Sequence, residues 1–162
     1  MNLSDHDQGA IRMALAQLSF SAYLKPAELD KLVMGFEKTP IKKGETLITQ
    51  GKTGELFYIL SSGKVKVWLK GPYVDKLLAN LEPPAFFGEM SLLSNTPRTA
   101  TVVCEEDGEV FTLLRTTFRN LLMDNRHVAE LIRKTAAERQ AEIQALEDQE
   151  WRDKRMKNEA PS

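Results

Sequence analysis

The sequence is short of cysteine, because Cys104 is the only one among 162 residues. An intramolecular disulfide is therefore excluded, and we expect a reducing compartment. No apolar run approaches the roughly 18 residues that a membrane-spanning helix needs. The start of the chain, MNLSDHDQGA, is acidic and polar and does not resemble the basic leader of a signal peptide. We therefore expect a soluble, cytoplasmic protein that makes no contact with a membrane.

A surplus of charge of either sign is also missing, since the formal net charge is −1. Such a chain has no overall field that would attract nucleic acid. One basic row, Lys64, Lys66 and Lys70, alternates with apolar residues, and we interpret it as the solvent face of a strand. The sequence therefore predicts no nucleic-acid partner.

Groups that carry catalysis or bind metals are scarce. His6 and His127 are the only histidines, and they are too few and too far apart for a metal site inside a β-barrel. No nucleophile stands in a recognisable pattern with a base. The sequence therefore predicts no metal and no catalytic residue, and we expect the protein not to be an enzyme.

The N-terminal part of the chain has helical periodicity. Residues 7–18 place apolar side chains on one face of an amphipathic helix. Pro26 suits the first turn of a second helix, whose apolar positions repeat at helical spacing up to Phe36.

From about residue 37 the period changes to that of strands. The runs TLITQ, LFYILSSG, KVKVWLK, TATVVCE and GEVFTLLR are short and rich in β-branched and aromatic residues. Turn signals separate them, among them Ser62-Gly63 and Asp107-Gly108, and the second of these predicts a hairpin. Many short strands with regular turns indicate an antiparallel barrel or sandwich.

After Arg115 the pattern is helical again. Thr116 or Thr117 could cap a short helix, and Asn125 could cap a long one that begins near His127. The long helix has an irregular apolar stripe and almost no helix breakers up to Trp151. The residues beyond it, 152–162, predict a frayed, solvated tail.

The stretch FFGEMSLLSNTPRTATVV, residues 86–103, places Gly88, Glu89 and Arg98 in an otherwise apolar segment. A short helical turn after Gly88 would present unpaired backbone N–H groups, which favour an anion. Arg98 would present a planar fork of donors suited to phosphate oxygens. A buried arginine needs an anionic partner, so Glu89 and Arg98 either pair with each other or hold a ligand.

This stretch resembles the phosphate-binding cassette of cyclic nucleotide-binding domains. The family pattern is matched by Phe87-Gly88-Glu89, Ser91, Leu92-Leu93, Arg98-Thr99 and Ala100-Thr101-Val102. The run KKGETLITQGKTGELFYILSSGKVKVW also resembles the early strands of the family, and the likeness covers roughly residues 20–145. Pro83-Pro84 departs from the glycine and polar residue that usually precede this cassette.

The resemblance implies a fold that is mainly β with flanking helices: an antiparallel β-roll, or jelly roll, between N-terminal helices and two C-terminal helices. It implies a helical extension over residues 1–19, a cyclic nucleotide-binding domain with its lid helix over 20–147, and a polar tail over 148–162. The implied ligand is cAMP or cGMP, with no further cofactor.

The resemblance also assigns roles. Arg98 would neutralise the single charge of the cyclic phosphate, and Glu89 would accept the ribose 2′-hydroxyl. Thr99 mildly favours cGMP over cAMP as the ligand. Arg139 is either a solvated helix residue or a lid over the purine, with Ile143 as a reserve apolar cap. The implied ligand-binding residues are Phe87, Gly88, Glu89, Met90, Ser91, Arg98, Thr99, Ala100 and Arg139.

Two other functions stay open at this point. The chain could be a ligand-independent interaction module that uses the roll and its C-terminal helix, and that helix could form a homodimer or bind a partner protein. A transcription factor is disfavoured, because too few residues follow the long helix for a helix-turn-helix.

Overall fold

The computed structural model of the chain describes residues 3–159, without the side chains of residues 136, 139, 140, 142, 143, 146, 147 and 156–159. The helices are α1 (Asp5–Leu15), a 3₁₀ turn (Ser21–Tyr23), α2 (Pro26–Met34), α3 (Met90–Leu93), α4 (Arg115–Leu122) and α5 (Arg126–Glu159). The strands are β1 (Glu37–Ile41), β2 (Thr46–Ile48), β3 (Leu56–Leu69), β4 (Lys76–Leu81), β5 (Phe86–Phe87) and β6 (Thr101–Leu114).

The first helix begins earlier than predicted because Ser4 caps it. The Ser4 hydroxyl accepts from the Asp7 N–H at 3.0 Å, and the Asp7 carboxylate accepts from the Ser4 N–H at 3.1 Å. This reciprocal pair satisfies two helix-terminal donors. The second helix begins at Pro26, as the sequence predicts.

Two long antiparallel strands, β3 and β6, and four short ones form the roll. The strand order is β1-β6-β3-β4, with β2 paired to β6 and β5 paired to β3, and every pairing is antiparallel. The predicted fold class, an antiparallel β-roll between N-terminal helices and two C-terminal helices, is confirmed.

The predicted hairpin at Asp107-Gly108 is wrong, because both residues lie inside β6, and the predicted turn at Ser62-Gly63 lies inside β3. The two sites face each other across the β3–β6 pair, where the register shifts. A Cβ at Gly108 would stand 2.1 Å from the Ser62 carbonyl oxygen, so the close approach of the two backbones requires glycine there.

Side chains along the strands point alternately to the two faces of the sheet, and each face packs into its own core. Phe57 and Ile59 face the helices and pack with Phe20 and Phe118, whereas Tyr58 and its same-face neighbours fill the interior of the roll. The basic row on β3 and just after it is charge-paired: Lys64 with Glu82 and Glu106, Lys66 with Glu105, and Lys70, directly after β3, with Asp75. The row therefore presents little unbalanced positive charge.

The C-terminal helices partly follow the prediction. Asn125 caps α5, since its Oδ1 accepts from the Val128 N–H at 3.0 Å, as predicted. Neither Thr116 nor Thr117 caps α4, which begins at Arg115 with Leu114 at the N-cap. The frayed tail predicted after Trp151 is wrong for residues 152–159, because α5 continues to Glu159. Residues 126–159 contain neither glycine nor proline, so nothing in this sequence interrupts the helix.

Within residues 3–159, none of the helices combines the length and the apolar character needed to cross a bilayer. The domain boundaries after residues 19 and 147 stay predictions.

Candidate ligand-binding site

One end of the roll contains a cavity of about 260 Å³, which we call the cassette cavity. Its apolar floor is formed by Ile48, Val67 and Val102, on three different strands. Its walls come from residues 87–91 and 96–100. Eight of the nine predicted site residues line it: Phe87, Gly88, Glu89, Met90, Ser91, Arg98, Thr99 and Ala100.

Arg139, the ninth, belongs to α5, but its side chain lies outside the described residues, as does that of Ile143. Thr99 is exposed at the mouth of the cassette cavity. The roles of these residues in base recognition therefore stay predictions.

Gly88 turns the chain from β5 into α3 with a positive φ of 82°, which L side chains rarely adopt. Among the described residues, neither the Glu89 nor the Met90 backbone N–H has a protein acceptor. The Ser91 hydroxyl lies within hydrogen-bonding distance of the Gly88 and Leu56 carbonyl oxygens, at 2.6 and 2.9 Å. Because a hydroxyl has one proton, Ser91 donates it within the protein, either inside the cassette turn to Gly88 or to Leu56 on β3.

Arg98 is the principal cation of the cassette cavity. Its Nη2 donates to the Leu56 carbonyl oxygen at 2.8 Å, and its guanidinium lies between Gly54 and Gly88, where added Cβ atoms would stand 2.6 and 2.9 Å away. Burial lowers the pKa of Arg98, the Tyr58 hydroxyl raises it, and the nearby Arg115 lowers it again. In the part of the chain that the structure describes, no carboxylate lies within 4.0 Å of this guanidinium.

Glu89 is held by the N-terminal segment, a contact that the sequence analysis missed. Its Oε1 accepts from the Ser19 hydroxyl at 3.2 Å and from the Ser19 N–H at 3.4 Å. Glu89 and Arg98 therefore line the same cavity without bonding to each other. The alternative in which these two residues form only a structural ion pair is wrong.

Arg115 is a second residue that the sequence analysis missed. It is buried at the start of α4, and its guanidinium reaches the Ser91 carbonyl and the Asn95 side chain of the cassette. No signal for it was present in the sequence, because the predicted helix begins after Arg115, whereas in the structure Arg115 is the first residue of α4, where a cation opposes the helix dipole.

The arrangement suits a small, singly charged anion that also carries a hydroxyl group. A guanidinium without a carboxylate partner can neutralise one negative charge, and a carboxylate lining the same cavity can accept a hydrogen bond from a hydroxyl group. The sequence pattern of the cyclic nucleotide-binding domain family matches residues 38–125, which include every residue of this wall and floor.

The chain belongs to the cyclic nucleotide-binding domain family.

Relatives of known identity agree with this assignment. A cAMP-dependent protein kinase regulatory subunit of Yarrowia lipolytica is 36% identical over 96 residues, which cover 59% of this chain and 24% of that protein. A cGMP-dependent protein kinase of Eimeria tenella is 33% identical over 127 residues, which cover 76% of this chain and 12% of the kinase. The chain thus spans about a quarter or less of the length of these two relatives.

A solved structure has the same fold. The regulatory domain of Toxoplasma gondii PKA, crystallised with cAMP, superposes with a TM-score of 0.65 at 25% identity, covering 74% of this chain and 46% of that one. The family recognised from the cassette motif is thereby confirmed. Which residues of this cyclic nucleotide-binding domain touch a ligand stays a prediction.

Proposed function

We propose that this domain is a regulatory module that binds cAMP or cGMP in the cassette cavity. The observation that carries the proposal is Arg98: a partly buried guanidinium with no carboxylate partner among the described residues, lining a cavity that Glu89 also lines. Burying such a charge is costly unless an anion joins it. A cyclic nucleotide supplies one phosphate charge for Arg98 and one free ribose hydroxyl for Glu89.

The other predicted contacts complete this ligand. The backbone N–H groups of Glu89 and Met90 are available for phosphate oxygens, and Phe87 and Ala100 contribute apolar contacts. Thr99 stands at the mouth, where a base would lie. The known relatives include both a cAMP-dependent and a cGMP-dependent kinase protein, so either base fits the proposal.

Calorimetric titration tests the proposal directly. We expect cAMP or cGMP to bind with one site per chain, and 5′-AMP, which lacks the ring-closed phosphate, to bind far more weakly. Arg98→Ala should abolish measurable binding without unfolding the chain, whereas Arg119→Ala, an exposed arginine on α4, should bind like the wild type. Absence of binding to both cyclic nucleotides by the folded wild-type chain would refute the proposal.

The C-terminal helix is the proposed output element. The cassette helix α3 contacts both α4 and α5, so a ligand that favours one position of α3 also biases these helices. A ligand shifts such an equilibrium only by its difference in affinity between the two positions. We propose that α5 closes over the base, with Arg139 as the lid residue, and that the module is regulatory and not itself catalytic.

The distal part of α5 is a proposed partner surface. At about 1.5 Å per residue, its 34 residues span about 50 Å. Those side chains from residue 137 onward that the structure describes are all exposed. They would be available to a second copy or to a partner protein, which sedimentation with and without cAMP would reveal. The chain would act as a ligand-independent interaction module only if that association formed while no nucleotide bound.

A free, buried thiol at Cys104 is compatible with a cytoplasmic location, which we also infer.

A further inference from the structure

Arg115 occupies an unfavourable position for a cation. It is the first residue of α4 and is only 8% exposed. The N-terminal end of a helix is the positive end of its dipole, and burial penalises the charge further. The only carboxylate paired with it among the described residues is that of Glu55, which is 3.8 Å away and mostly exposed. Helix stability alone therefore does not account for an arginine at this position.

Arg115 contacts two chain segments near Arg98, one just before β3 and one in the cassette. Its Nη1 donates to the Gly54 carbonyl oxygen at 3.3 Å and to Asn95 Oδ1 at 3.2 Å, and it lies 3.5 Å from the Ser91 carbonyl oxygen. Its backbone N–H donates to the Glu55 carbonyl oxygen at 2.8 Å. One guanidinium thus joins residues 54–55, just before β3, to the cassette segment 91–95.

The same two segments position Arg98. Gly54 packs directly against the Arg98 guanidinium. The Leu56 carbonyl oxygen accepts from Arg98 and lies within hydrogen-bonding distance of the Ser91 hydroxyl. A separation of residues 54–56 from the cassette would therefore remove the acceptor of Arg98 and the surface against which it packs.

We infer that Arg115 is a positioning residue for the ligand site: it fastens residues 54–56 to the cassette and thereby holds the Arg98 guanidinium towards the cavity. This inference rests on the proposed function. Arg115 also belongs to α4, so the same contacts tie the site to the helix that leads into α5. A purely structural role would lower stability but would leave the surroundings of Arg98 unchanged in the folded protein.

The experiment uses the full chain with Arg115→Gln, and with Arg119→Gln as the control on the exposed side of the same helix. Affinity for cAMP and for cGMP is measured by calorimetry. The ¹H–¹⁵N signal of the Arg98 Nε–H, assigned with Arg98→Lys, is measured in the ligand-free protein. We expect Arg115→Gln to shift this signal and to weaken both nucleotides by about tenfold or more, because both share the phosphate. Arg119→Gln should change neither readout.

Two readouts test the inference: the Arg98 signal and the affinity for the nucleotides. An unshifted Arg98 signal in folded Arg115→Gln overturns the inference, and so does an affinity for both nucleotides within about twofold of the wild type. If Arg115→Gln does not fold, Asn95→Ala removes an exposed partner of the same guanidinium and is judged by the same two readouts. If the wild-type chain binds no cyclic nucleotide, the proposed function fails, while the Arg98 signal still decides whether Arg115 orients it.

Discussion

Gly54 and the Arg98 guanidinium are packed so closely that any side chain at Gly54 would displace the arginine. A Cβ added at Gly54 would stand 2.6 Å from Arg98 Nη2 and 2.7 Å from Nε. The clash is with the end of a flexible side chain and not with backbone, so the fold can accommodate it by moving Arg98. The proposed phosphate site therefore requires glycine at position 54, because a larger residue would move the Arg98 guanidinium.

Gly54→Ala should therefore weaken binding while the protein stays folded. We expect the affinity for cAMP and cGMP to fall by about tenfold or more, as for the loss of a hydrogen bond to a charged group. Calorimetry measures the affinity, and thermal denaturation measures the stability. Gly9→Ala is the matched control, because Gly9 lies in α1 and a Cβ added there would meet open space. It should leave binding unchanged and stabilise the helix by up to about 1 kcal/mol. Unchanged affinity in Gly54→Ala would contradict the packing argument.

Ser19→Ala should reduce affinity only for ligands that carry a 2′-hydroxyl. The variant removes the hydroxyl donor that holds Glu89. We expect a two- to fivefold loss of cAMP affinity, equivalent to about 0.5–1 kcal/mol for one hydrogen bond. Binding of 2′-deoxy-cAMP should not change, because this ligand has no 2′-hydroxyl that could donate a hydrogen bond to Glu89.

Ser21→Ala is the control for this prediction, since the Ser21 hydroxyl donates to the Ala16 carbonyl and does not reach Glu89. Equal losses for cAMP and 2′-deoxy-cAMP in Ser19→Ala would show that Ser19 acts on the site by some route other than Glu89.

Sequence reasoning found the cassette because its residues are close along the chain. Gly88, Glu89 and Arg98 lie within eleven positions, so one motif displays the whole polar set. The resemblance to a known family then placed eight residues that the structure brings around one cavity.

Contacts between distant segments carried no comparable signal. Ser19 lies 70 positions from Glu89, and Arg115 lies 61 positions from Gly54. The glycines at 63 and 108 were interpreted locally as turns, whereas their conformations serve the pairing of β3 with β6. Local turn preference was overruled by long-range strand pairing, which a single sequence does not display.

Asp7→Asn should remove a pH-dependent part of the stability. Burial raises the pKa of Asp7, but hydrogen bonds to its carboxylate from Ser4 and from Lys38 outweigh it, so the net pKa lies below its ordinary value. A carboxylate with a depressed folded-state pKa stabilises the protein above its unfolded pKa of about 3.9. That stabilisation is lost as the pH falls through the lower folded-state pKa.

Thermal denaturation from pH 7 down to the acid range tests this prediction. The difference in Tm between the wild type and Asp7→Asn should be constant near neutral pH and should shrink below about pH 4. Asp124→Asn, an exposed carboxylate after α4, serves as the control for general charge effects. A Tm difference that grew on acidification would contradict the assigned sign.

Asn125 joins three elements at the point where α4 ends and α5 begins. Its Nδ2 donates to the Tyr23 carbonyl oxygen and to Glu28 Oε1, both at 2.8 Å, while its Oδ1 caps α5. The Asn125 side chain and Val128 are buried, so the Val128 N–H would lose its partner where water reaches poorly, whereas the bonds to Tyr23 and Glu28 are only partly buried.

Asn125→Ala should therefore destabilise the chain by about 1–3 kcal/mol, combining the loss of the cap on the buried Val128 N–H with the loss of two partly buried hydrogen bonds. Urea denaturation measures the free energy of unfolding, and Asn120→Ala, an exposed asparagine on α4, is the matched control, for which we expect little change. Asn125 anchors the start of α5 to the N-terminal helices. Its loss should therefore also raise the rate of amide hydrogen exchange over residues 126–132, at the start of α5, more than the rate in the strands of the roll. If Asn125→Ala were as stable as Asn120→Ala and amide exchange over residues 126–132 were unchanged, the N-terminal helices would not be what holds α5 in place.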